Sequence, residues 1–516
     1  MSNLPLLTIL LVLPLVGALI VAFLPSAESA KRVALGFSLV TLLVGIAAAS
    51  QFRLNSGEQF QLVEQHSWIP QFGVSYALGI DGISLTLILL ALVLTPVCIL
   101  AAWNDLENEP IPAEGRGSRR VQTYFALMLV LVTFMVGVFA AIDVFLFYVF
   151  FEAMLVPVYF LIGSFGVGPR RGYAAVKFLL FGLIGGLIML VAVIGVYFVG
   201  PGGADGFLVS NLTGLSIDPS VGRWLFVGFF VAFAIKAPMW PVHTWLPDAA
   251  SAARPATAVL LVGVLDKVGT YGMIRFCLQM FPEASSWATP VVLTLAVISV
   301  VYGALLAIGQ SDIMRLIAFT SVSHFGLIIL GIFALTTVGG AGSALYMINH
   351  GFSTAALFLI AGMLIVRNHG QQHIEAFGGW QRVTPVIAGV WLFAGLSALS
   401  LPGLSTFVSE FLVFVGTYQR YPVAALIAVP AVLLASIYIL WMYKRTMTGP
   451  RPELGRPVAD ITLREKVVVA PLVAAILLLG VYPALALDPI NPAVETTLEH
   501  VGAVDPAPSQ ATGGER

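Results

Sequence analysis

Charge is what this sequence has least of. Only 10% of its 516 residues are Asp, Glu, Lys or Arg, while 59% are hydrophobic and the mean hydropathy is +0.97. So few charges cannot cover a water-facing surface of ordinary composition, which excludes a soluble globular enzyme. Cysteine is almost missing: Cys98 and Cys277 both lie in apolar stretches, too few for a zinc cage or an iron–sulfur ligand set, and read as packing residues. No Lys or Arg precedes the first apolar stretch, so despite small residues at Ala27 and Ala30 it reads as a retained span rather than a cleaved signal. Neither a nucleophile constellation nor a phosphate loop is visible. The Gly-rich stretch around Asp205 follows a helical segment instead of a strand and reads as a turn, and the His369/His373 pair, with Gly370 in a loop, does not read as a metal site.

What the sequence does have is apolar runs of about 20 residues, the length that crosses roughly 30 Å of hydrocarbon. They define an all-α integral membrane protein of about fourteen spans, at 4–24, 31–51, 80–102, 121–139, 143–165, 173–199, 222–248, 255–280, 288–309, 314–337, 341–367, 382–419, 422–447 and 466–486. The connections 52–78, 103–120, 200–221 and 448–465 read as polar loops, and 487–516 as a poorly ordered tail. Formal net charge is −1, but the cations are unevenly placed. Assigning loops alternately to two faces puts the basic residues from Lys31 to Arg382, and the run 444–466, on one side. Only Arg53, Arg223, Arg275, Arg420 and Arg516 fall opposite. That bias predicts both termini on the outer side of the membrane and an even number of spans.

Two spans are interrupted by proline. In the seventh, Pro238, Pro241 and Pro247 would leave the carbonyls of Ala234, Ala237 and His243 without partners in a continuous helix. The twelfth is broken at Leu399-Ser-Leu-Pro402-Gly403. Backbone breaks survive at membrane depth only where protein or water satisfies them. Their separation by five spans predicts two inverted five-helix repeats, spans 4–8 and 9–13, each with a broken helix. The chain then divides into 1–120, a first repeat at 121–280, a second at 281–447, a loop and last span at 448–486, and the tail.

Among the cations, the loops take up all but Lys236 and Lys267. The chain carries nineteen Arg and six Lys, yet both cations left in the spans are Lys, the one that releases its proton at accessible pH. A charged Lys at mid-membrane costs about 2.5–3.5 kcal/mol on insertion scales. Burial favours the neutral amine and a nearby carboxylate the charged one, so a lysine between them can be switched. The carboxylate candidates are Glu152 in the fifth span, first choice as partner of Lys236, and Glu410 just past the twelfth-span break. Asp266 projects away from Lys267 and is placed to tune the field. His324 and His350, set among Ser321, Ser323, Ser353 and Thr354, suit a hydrated proton relay, and His243 sits in the seventh-span break. A structural ion pair, a snorkelling side chain or a hydrogen-bonded core histidine is the plainer alternative for each. Asp143 and Asp81 read as caps.

The segment Phe233-Ala-Ile-Lys236-Ala-Pro-Met-Trp-Pro-Val-His243-Thr-Trp-Leu-Pro-Asp248, with Lys267-Val-Gly-Thr-Tyr-Gly, resembles the signature of antiporter-like subunits of respiratory complex I and Mrp-type antiporters. The runs Asp143 to Pro157, Ser-Val-Ser-His324 and Asn-His350-Gly resemble the same family over essentially the whole chain. Glu410, where other paralogues have Lys, resembles the M type, and the lack of a long lateral C-terminal helix separates it from the L type. One departure is that Ala250 stands where many members carry His, with Arg254 or water as substitutes. The resemblance implies proton transfer in the bacterial plasma membrane by Glu152, Lys236, Lys267 and Glu410, with His243, His324 and His350 as possible relays. It also implies no flavin, iron–sulfur cluster or quinone in this subunit, these belonging to partner subunits of the complex. The alternatives are an Mrp-type or hydrogenase-linked Na⁺/H⁺ antiporter subunit, or a passive assembly scaffold.

Overall fold

The computed structural model describes residues 4–54, 56–106, 119–452 and 457–507. Arg116 and Arg516, two of the cations weighed for sidedness, lie outside them.

The apolar runs become helices. In chain order these are α1 (Leu6–Phe23), α2 (Ala27–Gln51), α3 (Gly82–Ala101), α4 (Arg120–Ala140), α5 (Val144–Gly163), α6 (Arg171–Val199) and α7 (Pro219–Lys236). After a break come α8 (Pro255–Leu278), α9 (Pro282–Ile308), α10 (Ile313–Phe333) and α11 (Thr337–Arg367). Then follow the halves α12 (Pro385–Ala398) and α13 (Ser405–Arg420), and finally α14 (Pro422–Met447), α15 (Leu463–Val481) and α16 (Ala484–Val501). Among the described residues twelve helices are long and apolar enough to cross a membrane, or thirteen if the bent pair α15–α16 is one span. Several begin at a side-chain cap predicted by the acidic residue ahead of them. Asp81 forms a capping box with Ser84, and Asp143 accepts from the amides of Phe145 and Leu146 at 2.9 Å.

α8, α10 and α11 are buried along their full apolar windows, whereas α2, α6 and α14 keep large exposed apolar sides. The innermost helices are therefore those that carry Lys267, His324 and His350. α8 is not a regular helix: Val259–Leu265 and Met273–Leu278 are π-helical, flanking the α-helical turn of Lys267–Gly272. Such wide turns gather at functional positions.

Three expectations are corrected. The connection 52–78 is not a plain loop: Gln61–Ile69 (β1) and Val74–Ile80 (β2) form an antiparallel hairpin, so the protein is predominantly but not wholly helical. Glu64 on β1 accepts from the amides of Leu7 and Thr8 and ties the hairpin to the start of α1. The segment after 486 is not a loose tail up to 501, because α16 folds back at 66° from α15 and packs on α3 and α11. Finally, Arg275 is not a loop cation. It is 2% exposed and ion-paired with Asp81.

The connections separate to two ends of the bundle. At one, Asp248 joins Lys177 and Arg315, and Arg367 makes a double contact with Glu465 at 2.7 Å. At the other, the hairpin meets the 200–218 connection through Gln65 and Asp205 at 2.8 Å, and α16 meets α8 through Gln279 and Thr497 at 2.8 Å.

Candidate functional site

Two of the three carbonyls freed in the α7 break, those of Ala234 and His243, accept from backbone amides, the latter from Leu246 at 3.0 Å. The amide of Met239 donates to Ala234 O at 3.0 Å, Trp245 Nε1 to Ile235 O at 2.9 Å, and the Trp240 amide to Ser299 Oγ on α9 at 2.7 Å. The chain turns at the cis Trp240–Pro241 bond and resumes as the short helix Trp245–Ala252. Lys236 is thus the last helical residue before an opening, where its amine extends into the bundle without competing with a following turn.

Lys236 is 2% exposed, and its Nζ has no hydrogen-bond partner in the protein. It sits over the rings of Phe151 at 4.9 Å and Phe178 at 5.8 Å. Glu152, the residue after Phe151, also has an unpartnered Oε1. No ion pair within 4 Å joins Lys236 to Glu152, yet the two charges lie near enough to act on one another. The pair stands open in this structure. His243, in the break, packs edge-on against Tyr302 at 5.2 Å and makes no contact with the other histidines. Arg254 donates to Phe165 O and Asp105 O, so it ties connections together.

On α8, Asp266 and Lys267 are both fully buried. Neither oxygen of Asp266 has a hydrogen-bond partner, and the carboxyl acts electrostatically on both lysines. Lys267 Nζ turns back to Val262 O, a carbonyl of the π-helical turn, and reaches His350 Nδ1 on α11 at 2.8 Å. His350 Nε2 meets Ser321 Oγ at 3.2 Å. Its ring stands perpendicular to that of His324 with centroids 5.3 Å apart. His324 Nε2 then faces the hydroxyl of Tyr438 on α14 at 3.4 Å.

Glu410 ends this series. Its Oε2 accepts from Tyr346 OH at 3.3 Å and from Ser400 Oγ in the α12–α13 break. Tyr346 is one turn before His350 on α11, and its ring lies 5.8 Å from His324. The break itself is stitched by Asn349 Nδ2 to Ser405 O at 2.6 Å and by Thr406 to Ser397 O. Lys267, His350, His324 and Glu410 are therefore brought into one polar series across α8, α11, α10 and α13. Lys236 and Glu152 form a separate open pair, and the Asp266 carboxyl is near enough to act on both Lys236 and Lys267.

Residues 141–435 match the family described as NADH:quinone oxidoreductase/Mrp antiporter, TM, and residues 9–138 match NADH-ubiquinone oxidoreductase chain 4, amino terminus. The chain belongs to this membrane antiporter-like family. It is 50% identical to NADH-quinone oxidoreductase subunit M of Mycobacterium tuberculosis, over 99% of this chain and 97% of that one. It is 40% identical to subunit M of Rhodobacter capsulatus over 99% of both chains. Its fold matches a chain of respiratory complex I from Thermus thermophilus with TM-score 0.86 and 29% identity, covering 96% of this chain and 100% of that one. The resemblance to the M type, drawn from Glu410, is borne out by these full-length relatives.

Tyr346, Tyr438 and Ser400 were not singled out from the sequence. Tyr346 carried a signal, four residues before His350 on one helix face. Tyr438 carried none, because α14 meets His324 only through packing across 114 residues of sequence.

Proposed function

We propose that the chain is the M-type proton-translocating membrane subunit of an NADH:quinone oxidoreductase, driven by redox chemistry in partner subunits. The observation that carries this reading is the buried series Lys267–His350–His324, continued by the hydroxyls of Tyr438 and Tyr346 to Glu410. Each member donates or accepts a proton, and the series ends at the break between α12 and α13.

When Glu152 approaches Lys236, the amine keeps its proton. When a change arriving from neighbouring subunits separates them, burial is opposed only by Asp266 and release is favoured. The proton then passes by Asp266 to Lys267, and through the histidines to Glu410 and the outer side. His243 hydrates or positions the break near Lys236. Moving one charge against 100 mV takes about 2.3 kcal/mol, so a modest separation of one buried ion pair is energetically sufficient.

The wider arrangement follows the same reading. The last bent pair and the halves α12 and α13 complete fourteen spans, and the two breaks five spans apart support inverted repeats at spans 4–8 and 9–13. The basic end faces the cytoplasm and both termini the outer side of a bacterial plasma membrane. The chain itself holds no flavin, iron–sulfur cluster or quinone, and its partners are the other complex I subunits, including adjoining antiporter-like ones.

The test uses inverted vesicles carrying the assembled complex. Lys236→Ala and Glu152→Ala are expected to abolish NADH-driven acidification of the lumen while native gels still show the complete complex. Undiminished acidification rejects the reading. Loss of the complex itself indicates a scaffold, and a Na⁺ requirement for proton movement indicates an Na⁺/H⁺ antiporter.

A further inference from the structure

One buried charge in the same helix as Lys267 has no part in the series above. Arg275 lies eight residues on, about 12 Å along the helix at roughly 1.5 Å per residue, toward the hairpin end. Its guanidinium is fixed on several sides. Nε donates to Tyr271 OH at 3.3 Å, Nη1 to Gln279 Oε1 at 3.5 Å, and Nη2 pairs with Asp81. Phe60 covers one face at 4.7 Å. Asp81 is itself held, because its carboxylate accepts from the Ser84 amide at 2.8 Å in the capping box of α3. A guanidinium so fastened cannot swing, and it keeps its proton at any accessible pH.

Beyond Arg275 the protein opens. A cavity of about 260 Å³ lies between the 52–61 segment and α16, with Arg275, Asp81, Glu58, Glu499 and His500 on its walls. This is the end of the bundle to which the hairpin belongs. Between Arg275 and Lys267 the interior is aromatic: the Tyr271 ring packs edge-on against Phe139 at 5.4 Å, its hydroxyl donates to Phe139 O at 3.0 Å, and the Phe233 ring lies against Gly272. Phe276, one residue past Arg275, packs on Phe147 at 4.3 Å. Lys267 Nζ points away from this layer, to Val262 O and His350.

The two ways out from Lys267 are therefore unlike. Toward Glu410 it meets imidazoles and hydroxyls, which pass protons on. Toward the cavity it meets aromatic rings and then a permanent cation, the kind of electrostatic barrier that excludes protons from a pore. We propose that the Asp81–Arg275 pair, with Tyr271, is a proton seal. It closes the first repeat at the hairpin end so that a proton on Lys267 leaves only by way of Glu410. This rests on the reading that Lys267 carries the translocated proton.

The seal is tested without NADH, by the passive proton flux that a valinomycin-imposed K⁺ diffusion potential drives through the complex in sealed vesicles. Asp81→Asn with Arg275→Gln removes both charges while leaving a hydrogen-bonding amide at each position. It is expected to raise the flux about tenfold or more, and adding Lys267→Ala is expected to return it to the starting level. Asp81→Asn alone retains the cation and stays tight. Unchanged flux in the assembled double variant, a leak indifferent to Lys267→Ala, or an equal leak from Asp81→Asn alone each overturns the proposal. Should the double variant not assemble, Arg275→Lys keeps the ion pair while substituting an amine that releases its proton. It is expected to leak increasingly as pH rises, and wild-type tightness across the pH range overturns the seal. Failure of the wider reading shows separately, as NADH-driven pumping that survives Lys236→Ala.

Discussion

Gly186 on α6 and Glu152 on α5 share one space: a Cβ placed on Gly186 would lie 1.7 Å from Glu152 Oε1. The carboxylate is the far end of a flexible side chain, so Gly186→Ala is expected to displace it without unfolding either helix. If Glu152 acts by its distance from Lys236, this variant assembles normally but translocates protons several-fold more slowly, although no charge has changed. Acidification rates at matched complex content read the effect. Wild-type pumping would mean that the position of Glu152 is immaterial.

The 2.8 Å contact between Lys267 and His350 is the only direct link between a buried amine and a histidine among the described residues. His350→Ala removes it together with the 5.3 Å ring contact to His324. The expected outcome is a fall of about tenfold or more in protons moved per NADH oxidised, with the complex intact on native gels. His243→Ala, in contrast, breaks no contact with the series and is expected to cost far less.

Glu410 is held by two hydroxyls. Hydrogen bonds to a charged group contribute about 1.5–3 kcal/mol each, so Tyr346→Phe and Ser400→Ala should each make the ionised carboxylate harder to reach. Pumping is expected to slow in both, and more in the double variant. Infrared difference spectra of the protonated carboxyl stretch provide the check, since the band should strengthen when either donor is lost.

Ser299 has a structural task in the α7 break, where its Oγ accepts from the Trp240 amide at 2.7 Å. Ser299→Ala leaves that amide without this acceptor. An unsatisfied buried polar group costs about 1–3 kcal/mol, so the purified complex is expected to lose this subunit at a lower temperature. Thermal shift followed by native electrophoresis measures it, and the turnover of surviving complex should stay near normal.

The sequence alone determined the features set by local chemistry. Apolar runs long enough for a bilayer placed the helices within a few residues, prolines located both breaks, and the preference for Lys at two membrane positions marked Lys236 and Lys267. Glu152, Glu410, His324 and His350 stood out for the same reason, as polar groups in apolar surroundings. Local signals also misled. The stretch after 486 read as a poorly ordered tail, yet up to Val501 it is α16, with Pro489 and Pro492 inside it, packed on α3 and α11. The hairpin's polar first strand passed for loop because its partner β2 is what makes it a strand. Only the tertiary structure decided which groups meet. Arg275 finds Asp81 across 194 residues, Glu410 finds Tyr346 across 64, and Lys236 remains apart from Glu152. Hydropathy and helix geometry act over a few residues of chain, whereas these pairings follow from how whole helices pack, which no short stretch of sequence encodes.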